Sequence, residues 1–155
     1  MARAHVELQL RWGDQDAYGH VNNVAYARLL EEARVRALWM GAAVEETGLE
    51  RHFNAGGAGD QKMLVASQHI EYVRVLDYSV RPVVVEMWIG KLGGANLEIH
   101  CEILDGAAAD RTVVARAITV AVMVDSVTMR PSRITDAARD AVAAWTDEPL
   151  RLRRG

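Results

Sequence analysis

The sequence predicts an α+β domain in which one long helix packs on one face of an antiparallel sheet of about five strands. Three observations support this fold class. One strand pattern comes first, a long amphipathic helix pattern follows it, and four long strand patterns then run to residue 125 with short turns between them. Strands joined by consecutive short turns pair antiparallel. A single helix can cover one face of such a sheet and so complete a two-layer domain.

The first two elements show the clearest periodicity. Residues 5–12, HVELQLRW, alternate between polar and apolar side chains, which predicts a half-buried strand whose apolar face includes Trp12. Apolar residues then recur at helical spacing, and we place a helix at about residues 23–40. Asn22 or Asn23 is expected to cap this helix, because a side-chain oxygen there accepts an otherwise unpaired backbone N–H.

Four strand patterns follow, at residues 62–75, 79–92, 95–105 and 111–125. The pair Gly93–Gly94 predicts a tight hairpin turn. The last of these strands is apolar on both faces, so we expect it at the centre of the sheet or against another subunit. Strand 95–105 alternates instead. We expect its apolar residues to face the core and its polar residues to face outward, namely Leu97, Ile99, Cys101 and Ile103 inward, and Glu98, His100 and Glu102 outward.

The segments around the strands are less regular. Residues 41–61 are weakly patterned, and their glycines predict a mobile connection. Residues 135–145 predict a short C-terminal helix capped by Thr135. No repeat or linker divides the chain, and its 155 residues suit one domain spanning residues 1–155.

Composition narrows the function classes. The net charge is -3, and the basic tail at residues 151–155 is interpreted as a solvated terminus, so no nucleic-acid partner is expected. No apolar run has transmembrane length and no signal peptide precedes the first strand, so we expect no membrane partner. Cys101 is the single cysteine, interpreted as a small buried hydrophobe, and excludes an internal disulfide. These features predict a cytoplasmic protein.

Polar groups crowd the turn between the first strand and the helix, where Asp14, Asp16, His20, Asn22 and Asn23 follow one another closely. The first N–H groups of a helix lack internal partners and lie at the positive end of its dipole. They could therefore stabilise negative charge on a substrate carbonyl oxygen. A neighbouring carboxylate could act as a base or a nucleophile. Acyl transfer needs both parts, although the same residues could simply form a turn and a helix cap.

Other catalytic arrangements find less support. The five histidines show no close pairing of the H-E-x-x-H kind, so no metal site is expected. No G-x-S-x-G motif is present. The run GGAG lacks the Lys-Ser/Thr ending of a phosphate-binding loop. We therefore expect no metal and no organic cofactor.

The segment RWGDQDAYGHVNNVAYARLLEEAR, residues 11–34, closely resembles the first strand, loop and central helix of hotdog-fold thioesterases of the 4-hydroxybenzoyl-CoA thioesterase-like family. Residues 69–104 and 113–125 are similar to that family's strands. The resemblance implies a sheet wrapped around one long helix and hydrolysis of an acyl-CoA or acyl-carrier-protein thioester. It also implies a homodimer that assembles into a homotetramer, with active sites at the subunit interface.

The resemblance also implies roles for individual residues. Asp16 matches the family's catalytic carboxylate, and Asn23 matches the position whose backbone N–H binds the thioester oxygen. His20 matches the histidine of the HVNN motif, which is implicated in catalysis in plant acyl-carrier-protein thioesterases. Those enzymes carry an asparagine two residues earlier, where this chain has Tyr18. Asp16 therefore remains the main catalytic candidate, as general base or nucleophile.

Further residues are candidates for substrate binding. Gly19, Asn22 and Val24 belong to the same motif, and Ser67 and Gln68 lie on a strand that in this family runs near the neighbouring subunit's active site. Arginines that could meet CoA phosphates are Arg74, Arg130 and Arg133. Asp14 is assigned a structural role, and Tyr26 and Trp39 are expected to pack rather than to line a ligand tunnel.

Two other function classes remain open at this stage. Hotdog folds include hydratases and dehydratases of acyl thioesters, although these usually carry a different local motif. A non-catalytic acyl-CoA-binding protein is also compatible with the fold, since fold alone does not decide function.

Overall fold

The computed structural model describes residues 2–53, 60–106 and 111–153. Five strands form one antiparallel sheet in the order β1-β3-β4-β5-β2. They are β1 (Ala4–Leu8), β2 (Gln61–Tyr72), β3 (Val83–Leu92), β4 (Asn96–Leu104) and β5 (Val113–Asp125). The helices are α1 (Asn23–Arg34), α2 (Glu50–Phe53) and α3 (Asp136–Ala143). The predicted α+β class, with one long helix and a short C-terminal helix, is confirmed.

Among the helices, α1 contributes the most residues to the hydrophobic core. The side chain of Asn22 caps it, because Oδ1 accepts the Ala25 N–H at 3.0 Å. The helical path continues beyond α1 as a π-helical segment, Val35–Trp39, so the two together match the predicted span. The buried face of α1, formed by Ala25, Tyr26, Leu29, Leu30 and Ala33, belongs to one hydrophobic cluster with the inner faces of the strands.

Strand β1 ends earlier than predicted. It stops at Leu8, and the chain then makes a short 3-10 turn at Trp12–Asp14. The backbone N–H of Arg11 donates to the Asp14 carboxylate at 2.8 Å, which favours a turn over a continued strand. Trp12 is therefore 75% exposed rather than part of the buried face, and it packs edge to face on Tyr78.

Strands β4 and β5 agree with most of their predicted patterns. The four inward residues of β4 are buried. Burial raises the pKa of the Cys101 thiol to about 12, as expected for a cysteine that packs as a hydrophobe. Strand β5 lies between β4 and β2, which confirms the prediction of a central strand. A hairpin joins β3 to β4, and the Gly93 N–H donates to the Asn96 carbonyl at 2.7 Å.

The prediction that His100 faces solvent is wrong. Its side chain is fully buried, because the segment after α3 crosses the outer face of the sheet. The Leu150 N–H donates to His100 Nδ1 at 2.9 Å, and the indole of Trp88 donates to the Glu148 carbonyl at 2.9 Å. Burial lowers the pKa of the His100 imidazole, although Glu98 partly offsets this effect. Both faces of β4 are therefore covered.

Gly90 makes room for the buried His100 ring. A Cβ at this position would overlap the imidazole, which is held by Leu150 on one side and by Glu98, 3.2 Å from Nε2, on the other. We expect Gly90→Ala to lower the free energy of unfolding by about 1–3 kcal/mol, the usual cost of overpacking. Urea denaturation measures the change. Gly94→Ala is the matched control, since a Cβ there meets nothing within 4 Å. Equal midpoints for the two variants would contradict this account.

The less regular segments are partly ordered. The connection at residues 41–61 contains α2, and its residues 54–59 lie outside the described part of the chain. Helix α3 begins after Thr135, whose Oγ1 accepts the Ala138 N–H at 3.1 Å, so the predicted cap is confirmed. In the basic tail, the Arg153 N–H donates to the Glu71 carboxylate, so the terminus is held to β2 as far as Arg153, and residues 154–155 lie outside the described range. None of the helices described is long and apolar enough to cross a membrane.

Candidate active site

Asp16 lies on an exposed turn immediately before α1. The turn closes through an Asp16 N–H bond to the His20 carbonyl at 2.8 Å and a Gly19 N–H bond to the Asp16 carbonyl at 3.1 Å. Gly19 has a φ of +79°, a left-handed conformation that favours glycine. The Asp16 Oδ1 accepts the Tyr18 N–H at 2.8 Å. The carboxylate is thus fixed to its own turn while it stays open to the surface.

Asp14 supports this turn from beneath. It is 2% exposed and accepts hydrogen bonds from Arg11 and, at 2.8 Å, from Arg28 on α1. Its backbone carbonyl accepts the Asn22 N–H at 2.9 Å. Burial raises the pKa of the Asp14 carboxyl, but the hydrogen bonds from Arg11 and the charges of Arg28 and Arg11 outweigh burial and hold the pKa below its usual value. Asp14 therefore ties the loop to the helix, as its assigned structural role requires.

The start of α1 presents backbone donors. Asn23 and Val24 occupy the first two helical positions, whose N–H groups have no intrahelical acceptor. The Asn22 side chain is already engaged in capping Ala25, so its oxygen serves the helix. The Val24 side chain is 71% exposed. The helix N-terminus can therefore offer backbone N–H groups, together with the positive end of the dipole, to an oxygen outside it.

A cleft of about 400 Å³ brings several predicted residues together. Asp16, His20 and Asn23 line one side. The other side is formed by residues 72–75, which comprise the last residue of β2 and the three residues after it. The hydroxyl of Tyr72 donates to the Asn23 carbonyl at 3.3 Å, which joins the two sides. The cleft therefore combines a carboxylate, an imidazole and a helix N-terminus in one open space.

His20 has a partner that the sequence analysis missed. Its Nδ1 lies 3.0 Å from the Asp77 carboxylate, and the two residues also form an antiparallel backbone bridge. A carboxylate at Nδ1 favours the tautomer that carries its proton on that nitrogen, which leaves Nε2 as an acceptor facing away. Asp77 falls in the short gap between the strand patterns at residues 62–75 and 79–92. No local pattern marks the pair, because Asp77 follows His20 by 57 residues.

The other predicted residues lie partly in the cleft and partly elsewhere. Arg74 lines the cleft. Arg133, in contrast, pairs with Asp136 near α3. Ser67 and Gln68 do not line the cleft within one chain, since they lie on the middle of β2, where Gln68 Oε1 is 3.5 Å from an Arg34 nitrogen.

The two aromatic residues expected only to pack have a double role. Tyr26 is 3% exposed and packs edge to face on Tyr72 with ring centres 5.1 Å apart, but its side chain also borders the cleft. Burial raises the pKa of its phenol, so the ring stays neutral near pH 7. Trp39 packs against the core and lines a second cavity near the end of the π-helical segment. Both residues pack against the core as expected, and each also borders a cavity.

Within residues 2–53, 60–106 and 111–153, no group of three or more His, Cys, Asp or Glu side chains is arranged to hold a metal ion.

Comparison with known proteins establishes the family to which this chain belongs. A family model described as the thioesterase-like superfamily matches residues 10–145. The chain belongs to the thioesterase-like superfamily. The resemblance to hotdog-fold thioesterases is thus confirmed, and the chain is a thioester hydrolase. Hydrolysis is favoured over the hydratase and non-catalytic alternatives. A search of curated proteins finds no match to the chain.

Several solved structures are similar over most of this thioesterase. A Pseudomonas aeruginosa protein has 25% identity and a TM-score of 0.75, covering 97% of this chain and 94% of its own. A second P. aeruginosa protein, named as a candidate thioesterase, has 27% identity, a TM-score of 0.72, and coverage of 90% and 97% respectively. A candidate acyl-CoA thioesterase from Xanthomonas campestris has 31% identity, a TM-score of 0.65, and coverage of 84% and 97%. The hotdog arrangement of sheet and helix is shared with these structures.

Proposed function

We propose that this thioesterase hydrolyses acyl-CoA in the cleft at the start of α1. The observation that carries the proposal is that the exposed Asp16 carboxylate and the helix N-terminus at Asn23 line the same open space. The similarity to the candidate acyl-CoA thioesterase from X. campestris supports CoA as the carrier. Arg74 lines the same cleft and supplies a guanidinium of the kind that binds phosphate.

The proposed mechanism uses backbone and carboxylate together. The thioester oxygen accepts a hydrogen bond from the Asn23 N–H, which stabilises the negative charge that develops when the carbonyl is attacked. Asp16 takes a proton from the attacking water, or attacks the carbonyl itself to form an acyl-enzyme that water then hydrolyses. In both routes the carbon–sulfur bond breaks and the thiolate leaves, so no strong general acid is needed.

His20 is assigned a supporting part in this reaction. Because Asp77 occupies Nδ1, the free Nε2 is the nitrogen that can meet the attacking water or the departing sulfur. The backbone of His20 also closes the turn that holds Asp16. Gly19 gives that turn its left-handed residue, and Val24 offers the second N–H of the helix. These three residues thus shape the binding site around the two main groups.

We propose further that the chain acts as a homodimer that assembles into a homotetramer. Strand β2 is an edge of the sheet in the described structure, with β5 as its neighbour. A long unpaired edge readily pairs with another strand, and the exposed apolar side chains of Leu64 and Val65 lie along it. Pairing through β2 would bring Ser67 and Gln68 of one chain close to the cleft of another, where they could orient water or substrate.

The test is release of free thiol from a panel of short, long, branched and aromatic acyl-CoAs, with matched acyl-carrier-protein thioesters. We expect CoA release in equal amount to the acid formed, with acyl-carrier-protein substrates slower. Enoyl-CoA is included as a discriminating substrate, because loss of its absorbance without thiol release would indicate hydration. Binding of acyl-CoA without thiol release from any substrate would contradict the proposal.

A further inference from the structure

The chain after α3 crosses the outer face of the sheet as a strap, residues 145–153. The strap starts along β3, where Ile89 and Thr146 form a parallel backbone bridge. It then passes over β4 and ends on β2, where the Arg153 N–H donates to the Glu71 carboxylate. The strap therefore runs from β3 to β2 and is held at several separate points.

The first half of the strap has anchors that keep their charge and hydrogen bonds in mild acid. The Asp147 N–H donates to the Ile89 carbonyl at 3.1 Å, and the Arg3 guanidinium donates to the Asp147 carboxylate at 2.6 Å. The hydrogen bond from Arg3 holds the pKa of the Asp147 carboxyl below its usual value. The Trp88 indole donates to the Glu148 carbonyl at 2.9 Å. These contacts hold the first half of the strap on β3.

The second half of the strap is held by a side chain that can gain a proton. His100 is fully buried, and its Nδ1 accepts the Leu150 N–H at 2.9 Å. Its Nε2 lies 3.2 Å from the Glu98 carboxylate, so the neutral ring carries its proton on Nε2 and keeps the lone pair of Nδ1 for Leu150. A proton on Nδ1 sets two N–H donors against each other. Turning the ring does not help, because an imidazolium carries a proton on both nitrogens.

The surroundings of the His100 ring set the pH at which it gains a proton. Burial lowers the pKa of the imidazole, and the hydrogen bond and charge of Glu98 raise it in part. Arg3 and Arg116, which lie on the same face of the sheet, are already paired with carboxylates. The charged and titratable groups on this face and on the strap are Glu98 and Glu102 of β4, Glu86 and Lys91 of β3, Arg116 of β5, His69 and Glu71 of β2, His5 of β1, Arg3 before β1, and Asp147, Glu148, Arg151 and Arg153 of the strap.

We propose that His100 is an acid-sensitive anchor, whose protonation releases the second half of the strap, residues 149–153, from the outer face of the sheet while the first half stays on β3. The attached strap is favoured above the ordinary histidine pKa of about 6.5. Its advantage falls with the pH until the pH passes below the lowered pKa of the buried ring. Release uncovers the His100 ring and the neighbouring Trp88 ring, whose centres are 6.0 Å apart.

This anchor does not depend on the proposed function. The strap lies on the outer face of the sheet, whereas α1 packs with the inner faces of the strands and the cleft lies at its start. Thiol release and strap release are therefore measured separately, and failure of one leaves the other standing.

The test is amide hydrogen exchange of the full chain, followed by NMR and corrected for the intrinsic exchange rate at each pH. We expect the protection of the Leu150 N–H to fall by roughly fivefold to thirtyfold between pH 7.5 and pH 5.0, the range that one proton on a group of ordinary pKa 6.5 allows. The fall should begin near pH 6.5. Protection of the Asp147 N–H, in the first half of the strap, should stay constant.

His100→Asn is the variant that isolates the proton. Its Oδ1 takes the place of Nδ1 and can accept the Leu150 N–H, but an amide gains no proton in this pH range. We expect the protection of Leu150 in this variant to be independent of pH. His69→Asn is the matched control, because His69 is exposed on β2 and pairs with Ile118 from the side opposite His100. This control should keep the fall seen in the wild type.

Three outcomes would overturn the proposal. Constant protection of Leu150 in the wild type down to pH 5.0 would show that the strap stays attached. An equal fall at Asp147 would show general unfolding, and an equal fall in His100→Asn would assign the acid sensitivity to another group. If His100→Asn does not fold, NMR of the wild-type imidazole decides, because a neutral ring with its proton on Nδ1 could not accept the Leu150 N–H.

Discussion

Replacing Asp16 with asparagine should lower kcat/KM for acyl-CoA hydrolysis by roughly 10²–10⁴-fold, the usual contribution of a positioned acid–base group. An amide neither accepts the proton of the attacking water nor attacks the carbonyl. The asparagine oxygen can still accept the Tyr18 N–H that Asp16 Oδ1 accepts at 2.8 Å, so the turn should persist. The measurement is thiol release with the best substrate of the panel.

The control separates the role of Asp16 from a general effect of charge. Asp140 is an exposed aspartate on α3, away from the cleft, and Asp140→Asn should keep wild-type activity. The unfolding midpoint of Asp16→Asn should also stay close to that of the wild type, because Asp16 is exposed and its contacts lie within its own turn. A fall in kcat/KM of less than about threefold would refute the assignment of Asp16 as base or nucleophile.

Much of this architecture was predictable because the signals are local. Alternation assigned the inner face of β4, and the Asn22 cap followed from the chemistry of one helix end. Asp16, His20 and Asn23 were predicted as a group because eight consecutive residues carry them from a strand end to a helix start. Their closeness in space therefore follows from closeness along the chain.

The features that the sequence did not predict arise from contacts between segments that are far apart along the chain. His100 alternates as an outward residue of β4, yet the chain around Leu150 covers it. Asp77 approaches His20 only because the loop after β2 passes beside the turn before α1. In each case a long-range contact decides the environment of a polar side chain.

The contact between Asp14 and Arg28 also predicts the largest effect on stability. Asp14→Asn should lower the free energy of unfolding by about 3 kcal/mol, because it removes the buried carboxylate that pairs with Arg28 at 2.8 Å and leaves the partly buried guanidinium with its longer ion pair to Glu32 at 3.2 Å. The expectation is at the lower end for buried pairs, since Arg28 is 28% exposed and Arg11 is 65% exposed. The Nε of Arg28 already lacks a hydrogen-bond partner among the described residues, and the Glu32 carboxylate that still pairs with the guanidinium is 38% exposed. Urea denaturation at pH 7 measures the loss.

Arg11→Gln is the matched control, and it should cost less than about 1 kcal/mol, as is usual for an exposed ion pair. An equal loss in the two variants would contradict the idea that Arg28 carries the effect. Asp14→Asn should also reduce thiol release, because Asp14 joins the Asp16 turn to the start of α1 through Asn22. That reduction should shrink on cooling if it arises from a loosened loop, whereas the loss caused by Asp16→Asn should persist.

The dependence on pH provides an independent check of the same pair. The folded pKa of Asp14 lies below its unfolded value of about 3.9, so the folded state binds fewer protons than the unfolded state in the interval between the two. The stabilisation is therefore complete above about pH 5 and is lost as the pH falls through the folded pKa. The difference in unfolding free energy between wild type and Asp14→Asn should stay constant from pH 7 to pH 5 and narrow toward pH 3. A difference that is already narrowing between pH 7 and pH 5 would show that Asp14 is not held in its charged form by Arg11 and Arg28.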